Sequence, residues 1–521
     1  MNKILQKAIL AICCIAPVTQ ASAQRYLTEV FTSVNKTSGV TYGNNMSILP
    51  ILSGASTVPV AEDLKMDVYE PAGDGLTTRP LVIVMHTGSF LPPIVNGQPT
   101  GARGDSAVVE MCTRFAKRGY VAAAMSYRLG WNPQAVGPTG QDIRTGTLLQ
   151  AVYRAILDAK ACVRFFRANA TNGGNTYGID TSKIILGGLG TGGYIALAYA
   201  TLDDPAEISL PKFLANSNNM QYGFVAGQSY VNQAILGDYE GYGGISAFNN
   251  PNNSPGFNSK VQFVFNMGGA IGDTSWIEAG DAPMVAFHVF GDPFAPYNIG
   301  NVIVPTTGQF VVEVGGSRAA VRIANALGNN DCFNSAGFTD PLTTYANTVN
   351  EGFEGLYPFF TTPLIQAGPW EWFDSTTTYF IGINFLGRTQ GQMDTLWANS
   401  LFTNPDMSKA KATAYIDTVM GYLNPRVVYC LGLTTGLNET QVSSALTVTP
   451  NPAADLTVIA TQNNQRLRSV VVMDISGKEV RRTEGLDTER FALERDGLEP
   501  GMYMLIITTD QGTGTSRLIF K

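Results

Sequence analysis

The chain has 521 residues, 45% of them hydrophobic and only 14% charged, with a formal net charge of −7. That length suits two or three domains with a sizeable core, and the acidic balance gives no basic footprint for nucleic acid. It holds just two histidines, His86 and His288, which excludes a zinc centre built on imidazole clusters and leaves few candidates for a histidine base.

The chain opens on a basic stretch, Met1 to Lys7, then an apolar run from Ala8 to Val18 and the small residues Ala21, Ser22 and Ala23 before Gln24. This is the pattern of a secretory signal peptide over residues 1–23. Cys13 and Cys14 in the apolar run leave a lipoprotein signal as the competing reading, against which stands the bulky Ile12. No later stretch reaches the roughly 18 apolar residues of a membrane helix, so no transmembrane segment is expected. Four cysteines follow the signal, and an even number suits an oxidising compartment. Cys112 and Cys162 fall in helical patterns, where buried thiols and a bridge are equally open. Cys332 and Cys430 lie in loop-like contexts and are the expected bridge.

From Lys65 onward, short β-branched runs alternate with helical patterns, the mark of a parallel sheet built from βαβ units. Strands are predicted at Leu81 to Met85, Val121 to Ser126, Lys183 to Leu186, Val261 to Phe265 and Met284 to Val289. Helices are predicted at Ser106 to Arg118, Thr147 to Asn169 and Ser408 to Leu423. Two stretches, about 203–260 and 330–400, read as insertions, the first of them loop-rich and suited to a lid over the active-site face. Within the second, Trp370 and Trp372 are candidates to stack on a ligand, although alternation at that spacing also fits a strand packed on the core. The composition turns all-β near the end, with strand patterns around Leu446, Val470, Met502 and Arg517 and turns at Ser476-Gly477 and Pro500-Gly501. These read as a small β-sandwich over 444–521, after a body of 24–440.

The ordered segments around His86, Tyr127 to Gly130, Tyr177 to Asp180, Gly188 to Gly192 and Asp292 resemble the α/β-hydrolase fold in its carboxylesterase and feruloyl-esterase-like branch. The last 75 or so residues resemble the C-terminal sorting domain (type A) of the Bacteroidota type IX secretion system. The resemblance implies a doubly wound, mostly parallel sheet, export, and the secretion machinery as a partner. It also implies a serine nucleophile at an elbow, an acid and a histidine base. The serine slot reads Gly190, and the next residue, Thr191, is expected to cap the following helix. The oxyanion loop reads His86-Thr87-Gly88, with His86 structural. Asp292 matches the acid. No histidine follows it, and Phe353 is the residue expected in the base position. The sequence therefore implies a degenerate esterase acting in binding or assembly. The alternative is an active secreted hydrolase of acylated sugars or small esters, using a nucleophile such as Ser89 or Ser126. Gly188 to Gly193 also fits G-x-G-x-x-G, but the acidic residues Asp203 and Asp204 follow a helix instead of ending a strand. No cofactor and no metal are expected.

Overall fold

The computed structural model describes residues 25–304, 307–433, 446–461, 465–474, 478–510 and 512–521. The expected signal peptide, the 440/444 boundary and the Ser476-Gly477 turn lie outside them. Chain packing divides the protein into a body, Tyr26–Leu433, and a second unit that holds Thr434–Lys521.

In the body the strands are β1 (Val34–Ser47), β2 (Val60–Pro71), β3 (Arg79–Met85), β4 (Val121–Met125), β5 (Ile179–Leu189), β6 (Phe263–Met267), β7 (Ala270–Ile271), β8 (Met284–Val289), β9 (Ile299–Ile303), β10 (Phe310–Gly316) and β11 (Leu356–Phe359). The main helices are α1 (Ser106–Lys117), α2 (Gly140–Asn172), α3 (Thr191–Thr201), α4 (Ser317–Ala326), α5 (Asp331–Ala336), α6 (Pro341–Val349), α7 (Ser375–Asn384), α8 (Gln390–Thr403) and α9 (Lys409–Cys430). Eight strands form one sheet in the order β1-β2-β4-β3-β5-β6-β8-β11. β1 and β2 join antiparallel, and the pairs from β4 to β11 are parallel. This is the doubly wound architecture expected.

Every residue of β3 is buried, as parallel strands covered on both faces require. Leu81, Ile83 and Met85 pack with α2 and α3, while Val82 and Val84 pack with α1 and α9. The long helix α2 is anchored by a buried ion pair. The Arg128 guanidinium donates to both Asp158 oxygens at 2.8–3.0 Å, and the Arg128 amide donates to Asp158 at 2.8 Å. The same guanidinium reaches the carbonyls of Met46 and Arg154, so β1, the β4 loop and α2 share one charge centre.

Several expectations change. Only Phe213 of the 203–260 stretch lines the main cavity of the body. Tyr222, Phe224 and Tyr230 of that stretch pack with Leu149 of α2, and Asn249 and Asn250 bond to β1. The 330–400 stretch is not a simple insertion, because it contains β11, the edge strand of the main sheet. Cys332 and Cys430 are bonded to each other, but from helices α5 and α9 instead of loops. Cys112 and Cys162 are buried free thiols. Helix α9 runs on past the predicted end, through Pro425.

The second unit holds a three-stranded sheet, Leu446–Thr449, Leu456–Thr461 and Arg490–Glu494, and a four-stranded sheet of Glu479–Thr488, Leu467–Met473, Gly501–Thr509 and Gly512–Phe520. Inward residues of both, among them Ile459, Val470, Leu493, Leu505 and Leu518, form one core. That is a β-sandwich. No helix among the described residues is long and apolar enough to cross a membrane.

Candidate active site

Strand β5 ends at Leu189 and helix α3 begins at Thr191. Between them Gly190 has φ +51° and ψ −114°, a conformation that side chains other than glycine rarely adopt. The turn is closely packed on its other sides. A Cβ at Gly192 would collide with the Met85 carbonyl of β3, and one at Gly193 with the Asn266 side chain of β6. The result is a tight strand–turn–helix elbow with glycine at its apex.

The place a side chain at 190 would take is filled from across the cleft. A Cβ at Gly190 would overlap the Thr87 hydroxyl and stand 3.0 Å from Thr87 Cβ. Thr87 belongs to the loop after β3, where a Cβ on Gly88 would lie only 3.0 Å from the Asn96 side chain. Asn96 ties that loop together by donating to the carbonyls of Gly88 and Thr100 at 3.0 and 2.7 Å. Thr191 does not cap α3 with its hydroxyl. It meets the Tyr127 hydroxyl at 2.9 Å instead, while its amide belongs to the first turn of α3, where N–H groups have no intrahelical acceptor.

Neither histidine serves the elbow. His86 is buried, stacks on Tyr127 with ring centroids 4.3 Å apart and has Nδ1 2.6 Å from the Thr87 carbonyl. His288, inside β8, bonds the Ser317 hydroxyl at 2.7 Å and the Ala295 carbonyl at 3.1 Å. Burial lowers both imidazoles to about 4.

Asp292 follows β8 and lines the cavity beside Gly190 and Thr191. Its Oδ1 accepts the amides of Phe294 and Ala295 at 2.8 and 3.2 Å. Burial outweighs those two donors and raises the carboxyl to about 7. Phe353 is placed differently from the expectation. It precedes β11, at the end of the sheet opposite the one from which β8 leads to Asp292, and it packs on the core under Arg318. The loop after β11 leaves the sheet at the same end as Asp292 and carries Trp370 and Glu371 into the cavity. Trp370 Cζ2 and Asp292 Oδ2 flank Gly268, 3.4 and 3.5 Å from where its Cβ would be. Burial pushes the Glu371 carboxyl up to about 8, repulsion from Asp105 and Asp292 adds to this, and the Thr100 hydroxyl opposes it. Trp372 packs on the core and does not line the cavity, nor does Ser126, whose hydroxyl takes a bond from Arg103. Ser89 does line it. Sequence reasoning missed Glu371, although a carboxylate between two tryptophans in a Pro-rich loop was its available signal. It also missed the β9–β10 hairpin, which supplies Val302, Ile303, Val312 and Val314 to the wall.

The cavity measures about 610 Å³, within the range of small-molecule sites. Among its lining residues are the carboxyls of Asp292 and Glu371, but no lysine, arginine or histidine. Among the described residues no three His, Cys, Asp or Glu side chains group as metal ligands.

Residues 66–304 match the BD-FAE family model, and residues 447–521 match that of the secretion system C-terminal sorting domain. The chain joins a BD-FAE domain to a secretion sorting domain. The walls from β10 onward, including Trp370 and Glu371, lie beyond the BD-FAE match. Among solved structures, esterase 2 of Thermogutta terrifontis is similar. Its cyclosarin-phosphonylated form is 19% identical, covers 45% of this chain and 69% of that one, and has a TM-score of 0.27. Its propionate-bound form is 16% identical, with coverages of 67% and 92% and a TM-score of 0.30. The paraoxon-phosphorylated form is 16% identical, with coverages of 63% and 92% and a TM-score of 0.31. No curated protein matches the chain.

Two predictions follow from this geometry. Gly190→Ser places a side chain at positive φ against Thr87, so urea unfolding is expected to show a loss of about 1–3 kcal/mol. Adding Thr87→Gly should recover part of that loss, whereas a gain in stability for Gly190→Ser would contradict the elbow assignment. The second concerns pH. Asp105 and Asp292, each raised to about 7, and Glu371, at about 8, keep protons in the folded state that the unfolded chain releases above about pH 4. Their stabilising contribution is present at low pH and lost as pH rises through the folded values. The two histidines act in the opposite sense between about pH 4 and 6.5. Stability is therefore expected to fall between about pH 6.5 and 8, where only the carboxyls act. Glu371→Gln should gain on the parent progressively over that rise, as read from urea midpoints at each pH.

Proposed function

We propose that this is a catalytically degenerate α/β-hydrolase, exported by a type IX secretion system and acting outside the cell by binding or assembly. Its fold is esterase-like and its sorting domain implies a secreted or cell-surface protein. The observation that carries the reading is the elbow. Gly190 has no nucleophilic atom, the Thr87 side chain fills the space a serine would need, and no imidazole lines the cavity. An acyl transfer needs an attacking group and a base to take its proton. Here the acid Asp292 stands with nothing of that kind to orient.

A second reading has one observation in its favour. The Thr87 hydroxyl stands where the elbow serine's side chain would be, with Ser89 nearby in the wall, so an active hydrolase of small esters or acylated sugars would use one of them. A panel of p-nitrophenyl and sugar acetyl esters separates the two. Degeneracy predicts turnover far below about 1 s⁻¹, unchanged in Asp292→Ala. Turnover above that figure, abolished by Thr87→Val or Ser89→Ala, would establish the second reading.

The export reading is tested by truncation. Removing residues 446–521 should leave the body folded in the periplasm and absent from the surface and the medium. Normal amounts of the truncated chain outside the cell would refute it.

A further inference from the structure

The helical hairpin of α7 and α8 rests on the loop after β3. Met393 and Leu396 of α8 pack with Ile94 of that loop, and the Ser400 hydroxyl donates to the Gln98 side chain at 3.3 Å. The turn where α7 passes into α8 is built differently. There Phe380, Ile381, Ile383, Phe385 and Leu386 are 57, 42, 38, 71 and 42% exposed. Single exposed hydrophobics are ordinary, but five large ones so close in the chain form a patch of the kind that marks an interaction site.

The shape of the patch narrows the partner. Thr378 and Gly382 are the buried residues of α7, and Gly382 lies so close to α8 that a Cβ there would collide with the Met393 sulfur. At 3.6 residues per turn, the exposed positions Ile383, Phe380, Asn384 and Ile381 then cover about 160° of the helix circumference. Phe385 and Leu386 carry the apolar surface on round the end of the helix, so it is convex. A second copy of the hairpin would touch such a surface along one side only, and a folded partner would need a groove of matching shape. A fluid lipid surface closes round it.

Charge is arranged along the hairpin in the same sense. Between Ser375 and Thr403 the only charged residues are Arg388 and Asp394. Arg388 follows the tip directly and makes no ion pair among the described residues, whereas Asp394 accepts from the Tyr379 hydroxyl at 2.9 Å and the Gln390 amide at 3.0 Å. Asp374, which caps the other end of α7, stands about 15 Å from the tip at 1.5 Å per residue. On the same scale Phe380 to Leu386 span roughly 9 Å, close to the roughly 5–10 Å to which interfacial helices sink. An uncharged apolar end followed by a free guanidinium is complementary to acyl chains beneath phosphate headgroups.

We propose that the end of the α7–α8 hairpin docks on a lipid surface, with Phe380, Ile381, Ile383, Phe385 and Leu386 among the acyl chains and Arg388 at the headgroups. The inference holds whether or not the cavity is catalytic. The sorting domain implies a secreted or cell-surface protein, where the outer faces of membranes are within reach. Because α8 also lines the cavity through Asn399, Ser400 and Thr403, a docked hairpin keeps the cavity close to the lipid.

The test uses the chain without residues 1–23, so that the apolar run from Ala8 to Val18 contributes nothing. Its flotation is followed with vesicles of phosphatidylcholine, alone or mixed with phosphatidylglycerol. Binding to both is expected. Phe385→Asp and Leu386→Asp should each weaken it by at least about tenfold, with the thermal midpoint of the parent. Arg388→Gln should weaken binding to the anionic vesicles by about fivefold. The indole introduced by Phe385→Trp should be quenched by lipids brominated on the acyl chains, beyond any quenching of the parent. No flotation, parent-like flotation of both aspartate variants, or an unquenched indole in bound protein would overturn the inference. Parent-like binding of Arg388→Gln to anionic vesicles would overturn the role given to Arg388. A dimer in sedimentation that Phe385→Asp dissociates would overturn the whole, because a second copy would then occupy the tip. The degenerate reading stands or falls on ester turnover, which none of these measurements reads.

Discussion

The close approach of helix α3 to strands β3 and β6 is the constraint from which the rest of the site follows. It is possible only because Gly192 and Gly193 present no side chain to the Met85 carbonyl and to Asn266. With those backbones in contact, the chain between β5 and α3 has to reverse within one residue, and Gly190 absorbs the reversal at φ +51°. The direction of α3 then sets where Thr191, Tyr194 and Ala198 fall along the cavity wall. In an active relative the same turn would hold a strained serine, a conformation that costs on the order of 1–3 kcal/mol and is kept because chemistry requires it. Glycine keeps the geometry without the strain.

Positions 87 and 190 are coupled by volume. They face each other so closely that a side chain at one excludes a side chain at the other. Threonine at 87 and glycine at 190 are thus two parts of one arrangement, and neither can be judged alone. A serine introduced at 190 would meet a site already filled by the Thr87 side chain.

Much of this could be read from the sequence because it is local. The elbow is a contiguous strand, glycine turn and helix, and the absence of histidines after Asp292 is a count. Strands β3, β4, β5, β6 and β8 were legible for the same reason, since buried parallel strands are short apolar runs at regular intervals, whereas β1, β2 and β11 at the sheet's two sides were not predicted. Phe353 was misplaced because its distance from Asp292 along the chain was taken as a guide to position. Helices α4, α5 and α6 intervene, and β11 begins only at Leu356, so the residue lies at the opposite end of the sheet. Glu371 and Trp370 became recognisable only once β11 was placed beside β8. The β9–β10 hairpin was missed because β9 is short, alternating and at most half-buried, and the apolar start of β10, Phe310 to Val312, is broken by Glu313. The pairing of Cys332 with Cys430 needed only two accessible cysteines, although the helices that carry them were not foreseen.

The surroundings of Asp292 decide what its carboxyl can do. In a triad the aspartate is stabilised as an anion by the imidazolium that forms beside it. Asp292 has no such partner here. Its Oδ1 is held by two amides, and its Oδ2 makes no hydrogen bond among the described residues. Trp370 lies close by and supplies apolar surface where a cation would be needed. Glu371, drawn into the same space, adds the repulsion of a like charge. Desolvation and that repulsion both favour the protonated carboxyls, which makes them able to donate a proton to a hydrogen bond as well as accept one. Burial and mutual repulsion thus bias the two carboxyls that line the cavity toward the form that donates as well as accepts a hydrogen bond.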